Sequence, residues 1–454
     1  MSDASKHWLR LSQVADMAQG KLQGEDDYIS SLCTDSRRLS KGQLFVALEG
    51  DRFDGHEFVT QQIEQFAPGA LIHKHVNTSL PTIMVDNTLD GLARWSKAWR
   101  KIVAPQMVAV TGSNGKTTVK HMLSNVLSLA GSTCYTQGNL NNHIGVPLTL
   151  LTLRKHHQFA VIEMGANHFG EINYLSCLAE PDIAVITNAG PAHLEGFGSI
   201  EGVSRAKGEI MNGLPANGVI VLNADDQYLS AWLNMAADRD LNVVTFGFDE
   251  KADVKGISHQ ENELVIASDD LLIEVSLPLP GKHNACNALA VAAVALQLNV
   301  KHALIKQGLE TAHHVHGRLQ TKQGLNGSII LDDTYNANPG SMSAAINVLC
   351  AQSKEPWLVI GDMGELGGEA EQIHAQIGAL AKTAGVKRLF TLGELSKYAA
   401  QSFGEQANHF NTHDELSEVL ATQINHDCCV LVKGSRAMHM EDVVNNIIEH
   451  ALVH

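Results

Sequence analysis

The sequence predicts an α/β protein of three domains, on three observations. Its 454 residues correspond to three units at about 150 residues each. From about residue 105 onward, short apolar runs ending in Gly, Asp or Asn alternate with longer helical patterns, as in βαβ units. That series is interrupted by the polar stretch Thr311 to Arg318, and it is preceded by a hundred residues of different texture. A hydrophobic content of 44%, a charged content of 18% and 38 glycines against 11 prolines suit a folded, loop-rich chain rather than a disordered one.

Residues 1–103 form the first expected domain, where DSRRLSKGQLFVALEGDRFDGHEFV mixes turns with one short β-run and a helix near Leu89 to Ile102 leads into the centre. Residues 104–314 form the second. Its expected strands are Gln106 to Val110, Phe159 to Ile162, Asp182 to Thr187, Gly218 to Leu222 and Asn242 to Phe246, each a nearly continuous apolar run suited to burial on both faces of a parallel sheet. Alternating strand patterns follow between Ala252 and Pro280, and His283 to Leu298 reads as a small-residue helix able to pack closely on a sheet. Residues 315–454 form the third domain, with expected strands Ser328 to Leu331, Trp357 to Ile360, Arg388 to Leu392 and Cys429 to Val432.

Composition narrows the function. Lys plus Arg is 33 and Asp plus Glu is 49, a formal charge of −16 that would repel a polyanion, so no nucleic-acid partner is expected. The longest apolar run, Ala288 to Leu296, is far below the roughly 20 residues that span a bilayer. The N-terminus lacks the apolar core of a signal peptide. The seven cysteines make no CxxC pair, as suits a reduced, cytoplasmic protein. His313, His314 and His316 lie in the hinge-like polar stretch and are expected to be solvated.

The strongest local signal is Gln106 to Leu127, in which a buried strand is followed by Thr111-Gly112-Ser113-Asn114-Gly115-Lys116-Thr117-Thr118 and then an amphipathic helix. Gly112 and Gly115 let the backbone turn so that successive N–H groups point inward, the helix N-terminus adds partial positive charge, and Lys116 can reach the β- and γ-phosphates. Thr117 offers a hydroxyl to Mg²⁺. The usual GxxxxGK[ST] spacing would place Gly at Val110, so only the strand–loop–helix context identifies this phosphate cradle. Such a site needs oxygen ligands at the end of a neighbouring strand, and Glu163, ending FAVIE, fits. His193 falls in the loop after the next strand, on the edge where open sheets collect ligands. Read alone, His193 and Lys207 are an ordinary loop histidine and surface lysine.

Together these residues resemble the Mur ligases, ATP-dependent amide-forming enzymes of peptidoglycan precursor synthesis, which share the loop TG[ST]NGKT. Further matching segments are TDSR at Thr34 to Arg37, GNLNNHIGVPLTLL at Gly138 to Leu151, EMGANHFGEI at Glu163 to Ile172, DDTYNANPGSM at Asp332 to Met342 and GDMGELG at Gly361 to Gly367. They are most similar to the member that adds D-Ala-D-Ala to UDP-N-acetylmuramoyl-tripeptide, and the DNPR motif of the diaminopimelate-adding neighbour is absent.

The resemblance implies a small mixed α/β N-terminal substrate domain, a central P-loop ATPase-like parallel-sheet domain and a C-terminal Rossmann-like α/β domain. It also implies ATP and Mg²⁺, with Lys116 and Thr117 on phosphates and metal, Glu163 and His193 on Mg²⁺, and a carbamylated Lys207 on a second Mg²⁺. His283, Asn284 and Asn287 resemble an adenine and ribose segment, and Arg318, Asp333 and Tyr335 resemble nucleotide contacts from the C-terminal domain. For the UDP-sugar peptide the matching positions are Ser36, Arg37, the segment Phe45 to Gly50, Asn139, Asn141 and Asn142. Asn336, Asn338, Lys433, Ser435 and Arg436 are candidates for orienting peptide and dipeptide carboxylates. A monomer is expected, with an open apo form that closes on its substrates. The alternatives are a folylpolyglutamate synthase, whose family begins close to its P-loop, and a P-loop nucleotide switch, for which no NKxD motif is found.

Overall fold

The middle of the chain forms a nine-stranded sheet. The computed structural model describes residues 8–449 apart from 261, 270, 314 and 315, so His314 lies outside the described residues. Across the sheet the order is Thr133–Tyr135, Phe159–Glu163, Gln106–Thr111, Ile183–Ile186, Val219–Asn223, Asn242–Gly247, Val254–Gln260, Glu263–Ser268 and Leu271–Ser276. Seven strands run parallel, and the last two, from the alternating segment, add an antiparallel edge.

Alternation along each strand feeds two cores. Val108 and Val110 face the helices Lys116–Ala130 and Lys282–Gln297, whose alanines allow the close approach expected of a small-residue helix. Met107 and Ala109 face the opposite layer. The chain crosses from one side of the strand Gln106–Thr111 to the other at its neighbours, Phe159–Glu163 and Ile183–Ile186, so the loop after it opens into the crevice of a topological switch point. In register, Val110 pairs with Glu163, which brings that carboxylate to the same sheet edge as the phosphate cradle.

The N-terminal unit holds a five-stranded sheet, ordered Lys21–Gln23, Thr82–Met84, Ala70–Ile72, Gln43–Val46 and Ser31–Cys33, where the sequence suggested one short β-run. Strands of three or four residues are too short to show a period of two. The helix Thr88–Val103, capped by Asn87 on the amides of Leu89 and Asp90, packs on the helix Leu11–Ala18 and on the central layer. Buried Trp95 and Trp99 fill that seam with Trp8. Trp99 Nε1 donates to the Leu153 carbonyl at 3.0 Å. Lys97 and Arg100 donate to the carbonyls of Cys177, Ala179 and Glu180, groups that the end of the helix Glu171–Ala179 leaves without helical partners. One hydrophobic core therefore runs from the N-terminal unit into one face of the central sheet.

The C-terminal sheet is ordered Gln320–Gln323, Ile329–Asp333, Cys428–Lys433, Glu355–Gly361, Arg388–Leu392 and Ala407–Phe410, parallel except for the first pair. Its two edge strands, QTKQ and ANHF, are polar and gave no apolar signal. No helix among the described residues is long and apolar enough to cross a membrane.

Candidate active site

The cradle is built by side chains that hold the loop rather than by those that face a ligand. Gly112 has φ +147 and Gly115 φ +83, and a Cβ at either would run into Thr187 or Asn287. Asn114 N–H donates to Asn188 Oδ1 at 3.0 Å, and its carbonyl accepts from Asn188 Nδ2 at 3.1 Å and from Thr187 Oγ1 at 2.5 Å. Ser113 Oγ donates to the Gly190 carbonyl at 3.1 Å and accepts from the Gly190 amide at 2.9 Å; Thr111 Oγ1 donates to the Met164 carbonyl at 2.9 Å. Thr111 and Ser113 are thus engaged in fixing the loop to its neighbouring strands. Lys116 folds back on the cradle, donating to the Gly112 carbonyl at 2.6 Å, and burial lowers its pKa against the opposing pull of Glu163.

Glu163 is buried at the end of its strand. Its Oε1 accepts from Asn141 Nδ2 at 2.8 Å and lies 3.3 Å from Thr117 Oγ1. Its Oε2 pairs with the buried Lys120 ammonium at 3.1 Å. Burial alone would raise this carboxyl, but Lys120, Lys116 and the Asn141 hydrogen bond leave it lowered and ionised. A buried, ionised carboxylate beside the Thr117 hydroxyl, next to a phosphate cradle, fits the hard-oxygen preference of Mg²⁺, which takes its remaining ligands from phosphate and water. Lys120 was not anticipated. Its spacing of four from Lys116 puts both on neighbouring turns of one helix face, which does not by itself set it apart from a solvated lysine.

His193 sits in a left-handed turn at φ +54 and contacts the carboxylate of Glu365, in the segment Gly361 to Gly367 of the C-terminal domain. Among the described residues no three His, Cys, Asp or Glu side chains converge as a metal cluster. Lys207 is buried with no hydrogen-bond partner, its amine 5.3 Å from the centre of the Phe197 ring. Burial, reinforced by Lys116, pushes its pKa down to about 7.

A cavity of about 720 Å³ lies between the central and C-terminal domains. Asn114, Gly115 and Thr118 line it from the cradle, His283, Asn284 and Asn287 from the small-residue helix, and Arg318, Asp333 and Lys433 from the C-terminal domain. Burial lowers His283 to about 4, so its ring is neutral at pH 7. Arg318 stacks over Tyr335 at 4.2 Å. Lys433, considered above for a peptide carboxylate, lines this cavity and donates to Asp333 at 2.6 Å and to the Asn336 carbonyl at 2.8 Å. His313 and His316, expected to be solvated, are exposed at its rim.

The other substrate candidates are spread over the domains. Asn338 caps the helix Pro339–Gln352 and donates to Asn114 Oδ1 at 2.8 Å, joining the C-terminal domain to the cradle. Ser435 N–H donates to the Asp362 carbonyl at 2.9 Å, and Arg436 pairs with Glu441 at 2.7 Å. Asn142 Oδ1 accepts from Gly145 N–H at 2.8 Å at the start of the helix Gly145–Leu150, and the Asn139 carbonyl accepts from Asn141 N–H at 2.7 Å. Ser36 and Arg37 lie in a short turn of the N-terminal unit, with the Arg37 guanidinium exposed and paired to Asp35 at 2.9 Å.

A P-loop that shares its cavity with a second α/β domain, and adjoins a third docked through one helix, defines a multidomain nucleotide-using enzyme. The chain belongs to the Mur ligase family: residues 28–107 match the Mur ligase family catalytic domain, 110–295 the Mur ligase middle domain and 317–436 the Mur ligase glutamate ligase domain. It is 41% identical over 447 residues to the UDP-N-acetylmuramoyl-tripeptide–D-alanyl-D-alanine ligase of Escherichia coli K12, covering 97% of this chain and 98% of that one. Its fold is similar to that of MurF from Acinetobacter baumannii, with a TM-score of 0.90 at 35% identity over 96% of this chain and 97% of that one. It is also similar to the MurF ligase of Thermotoga maritima in complex with ADP, with a TM-score of 0.81 at 28% identity over 92% of this chain and 96% of that one.

Proposed function

We propose that this chain is the ATP-dependent ligase that joins D-Ala-D-Ala to UDP-N-acetylmuramoyl-tripeptide, giving the pentapeptide precursor of peptidoglycan. The observation that carries this reading is similarity through all three domains, the N-terminal unit included, to a ligase of that name. A folylpolyglutamate synthase would lack most of that unit, and a nucleotide switch would not need three.

Joining a carboxylate to an amine in water is uphill, so the carboxylate is first made electrophilic. A tripeptide carboxylate oxygen attacks the γ-phosphorus of ATP and the bond to ADP breaks; the dipeptide amine then attacks the acyl carbon, loses a proton and expels phosphate. The cradle amides and Lys116 hold the phosphates in line and neutralise charge as it shifts toward ADP. Glu163 and Thr117 would hold Mg²⁺, with His193 available once released from Glu365; the ion adds positive charge beside the β- and γ-phosphates. Asn284, Asn287, Arg318, Asp333 and Tyr335 take the nucleoside end. Ser36, Arg37, Asn139, Asn141 and Asn142 take the UDP-peptide, and Asn336, Ser435 and Arg436 the peptide carboxylates.

Lys207 would react with CO₂: the neutral amine attacks the carbon, the N–C bond forms as one C=O π bond opens, one proton leaves, and a carbamate with carboxylate-like oxygens results. A lone buried amine with no partner and a depressed pKa supports that role. Cradle, carboxylate and C-terminal groups all come from one chain, so a monomer suffices, and the ATP and UDP-precursor it consumes are cytoplasmic.

The test is phosphate release with ATP, Mg²⁺ and UDP-tripeptide, offering D-Ala-D-Ala, L-Glu or meso-diaminopimelate in parallel. Turnover is expected with the dipeptide alone; robust turnover with L-Glu, or with no amine, refutes the assignment.

A further inference from the structure

Lys120 is the group in this site that the reaction above does not use. It lies on the helix that follows the cradle, is 0% exposed, and belongs to none of the sequence motifs that mark phosphate binding. A buried ammonium is strongly disfavoured unless it is paired and hydrogen-bonded, so its partners define why it is there. It has two. One is Glu163 Oε2 at 3.1 Å; the other is the Gly138 carbonyl, to which Nζ donates at 3.1 Å.

Gly138 belongs to the loop 136–142, the segment read above as contacting the UDP-peptide. That loop also reaches the Glu163 carboxylate through Asn141, and the backbone around Glu163 through two further bonds. Asn141 Nδ2 donates to Glu163 Oε1 at 2.8 Å, Glu163 N–H donates to Thr136 Oγ1 at 3.0 Å, and Gly165 N–H donates to the Asn141 carbonyl at 2.9 Å. Both carboxylate oxygens of Glu163 are therefore tied to one loop, Oε1 through Asn141 and Oε2 through Lys120. Neither tie touches the cradle backbone.

We propose that Lys120 is a positioning residue that couples the acceptor-substrate loop to the nucleotide site by fixing Glu163 between them. When the UDP-tripeptide orders the loop, the Gly138 carbonyl and the Asn141 side chain hold Lys120 and Glu163 in place. The nucleotide with its metal then binds to a carboxylate already oriented, so part of the ordering cost has been met. By reciprocity the nucleotide tightens the UDP-tripeptide by the same factor. The proposal rests on the ligase reading, because that reading supplies the ligand of the loop.

The experiment is calorimetric titration of the full chain with a non-hydrolysable ATP analogue and Mg²⁺, with and without saturating UDP-tripeptide and with no D-Ala-D-Ala. Wild type is expected to bind the analogue about fivefold or more tightly when the tripeptide is present. In Lys120→Met that ratio falls to about one, while affinity for the analogue alone changes less than about threefold. A merely structural lysine would lower the melting temperature and leave the ratio intact, and that result overturns the proposal. So does a wild-type ratio of one. Should Lys120→Met fail to fold, Asn141→Ala breaks the other tie at a half-buried loop position, and its ratio should fall by at least about half; an unchanged ratio there is equally fatal. Failure of the UDP-tripeptide to bind at all defeats the ligase reading itself, whereas binding without coupling defeats this inference alone.

Discussion

At the scale of single residues, half-buried Lys116 and buried Lys207 carry amines with opposite tasks. Lys116 is pinned to the Gly112 carbonyl and waits for phosphate. Lys116→Ala should abolish turnover and leave UDP-tripeptide affinity nearly intact by calorimetry, because the candidate contacts for that ligand lie on other elements; equal loss of both would refute the separation. Lys207 has no hydrogen-bond partner, and its folded pKa of about 7 lies below the ordinary lysine value of 10.5. Between those values the unfolded chain binds more protons than the folded one, so stability rises with pH across that window. In CO₂-free buffer Lys207→Met should abolish that slope and stabilise the fold at pH 7, by up to about 5 kcal/mol, while destroying turnover. Thermal melts from pH 7 to about pH 9.5 check the first effect. A carbamate resonance in ¹³C spectra with labelled bicarbonate, lost in the variant and fading below about pH 7, checks the chemistry; a wild-type spectrum without it removes Lys207 from the site.

At the scale of elements, legibility followed contiguity. The cradle was readable because its backbone turn, its lysine and its helix start are consecutive residues, and Glu163 because it ends the apolar run FAVIE. Lys120 was not readable, since a lysine in an amphipathic helix is ordinarily solvated and only its distant partner, Glu163, marks it as buried. The N-terminal sheet was missed because its strands are too short for a period to emerge. The helix Thr88–Val103, read as a connection into the centre, turns out to be the joint between two cores. Trp99→Ala should therefore lower stability by about 3–5 kcal/mol, seen as an earlier urea transition by far-UV circular dichroism. A shift below about 1 kcal/mol would mean that the joint carries little of the N-terminal domain's stability.

At the scale of the molecule, the two domain seams differ in kind. The N-terminal seam is a shared hydrophobic core. Across the cavity, the C-terminal domain meets the central domain through polar contacts, Asn338 to Asn114 of the cradle and Glu365 to His193. Polar interdomain seams of this sort open and close readily. The chain was expected to be open without substrates, and in the structure these contacts already bring the C-terminal domain against the cradle. Domain closure that excludes water is then read as a change in population, and small-angle scattering should show a smaller radius of gyration on adding ATP analogue and UDP-tripeptide together. An unchanged radius would leave assembly of the site to the arrangement described here.

The sequence by itself determined what is local: alternation of strands and helices, the turn that bares backbone amides to phosphate, and the residue types able to hold a metal or an anion. Only the tertiary structure decided which charges share a low-dielectric interior, because the pairing of Lys120 with Glu163, or of Lys433 with Asp333, is set by strand register and domain packing between segments far apart in the chain. Burial makes such a charge depend on its partner, and burial is a property of the packed molecule.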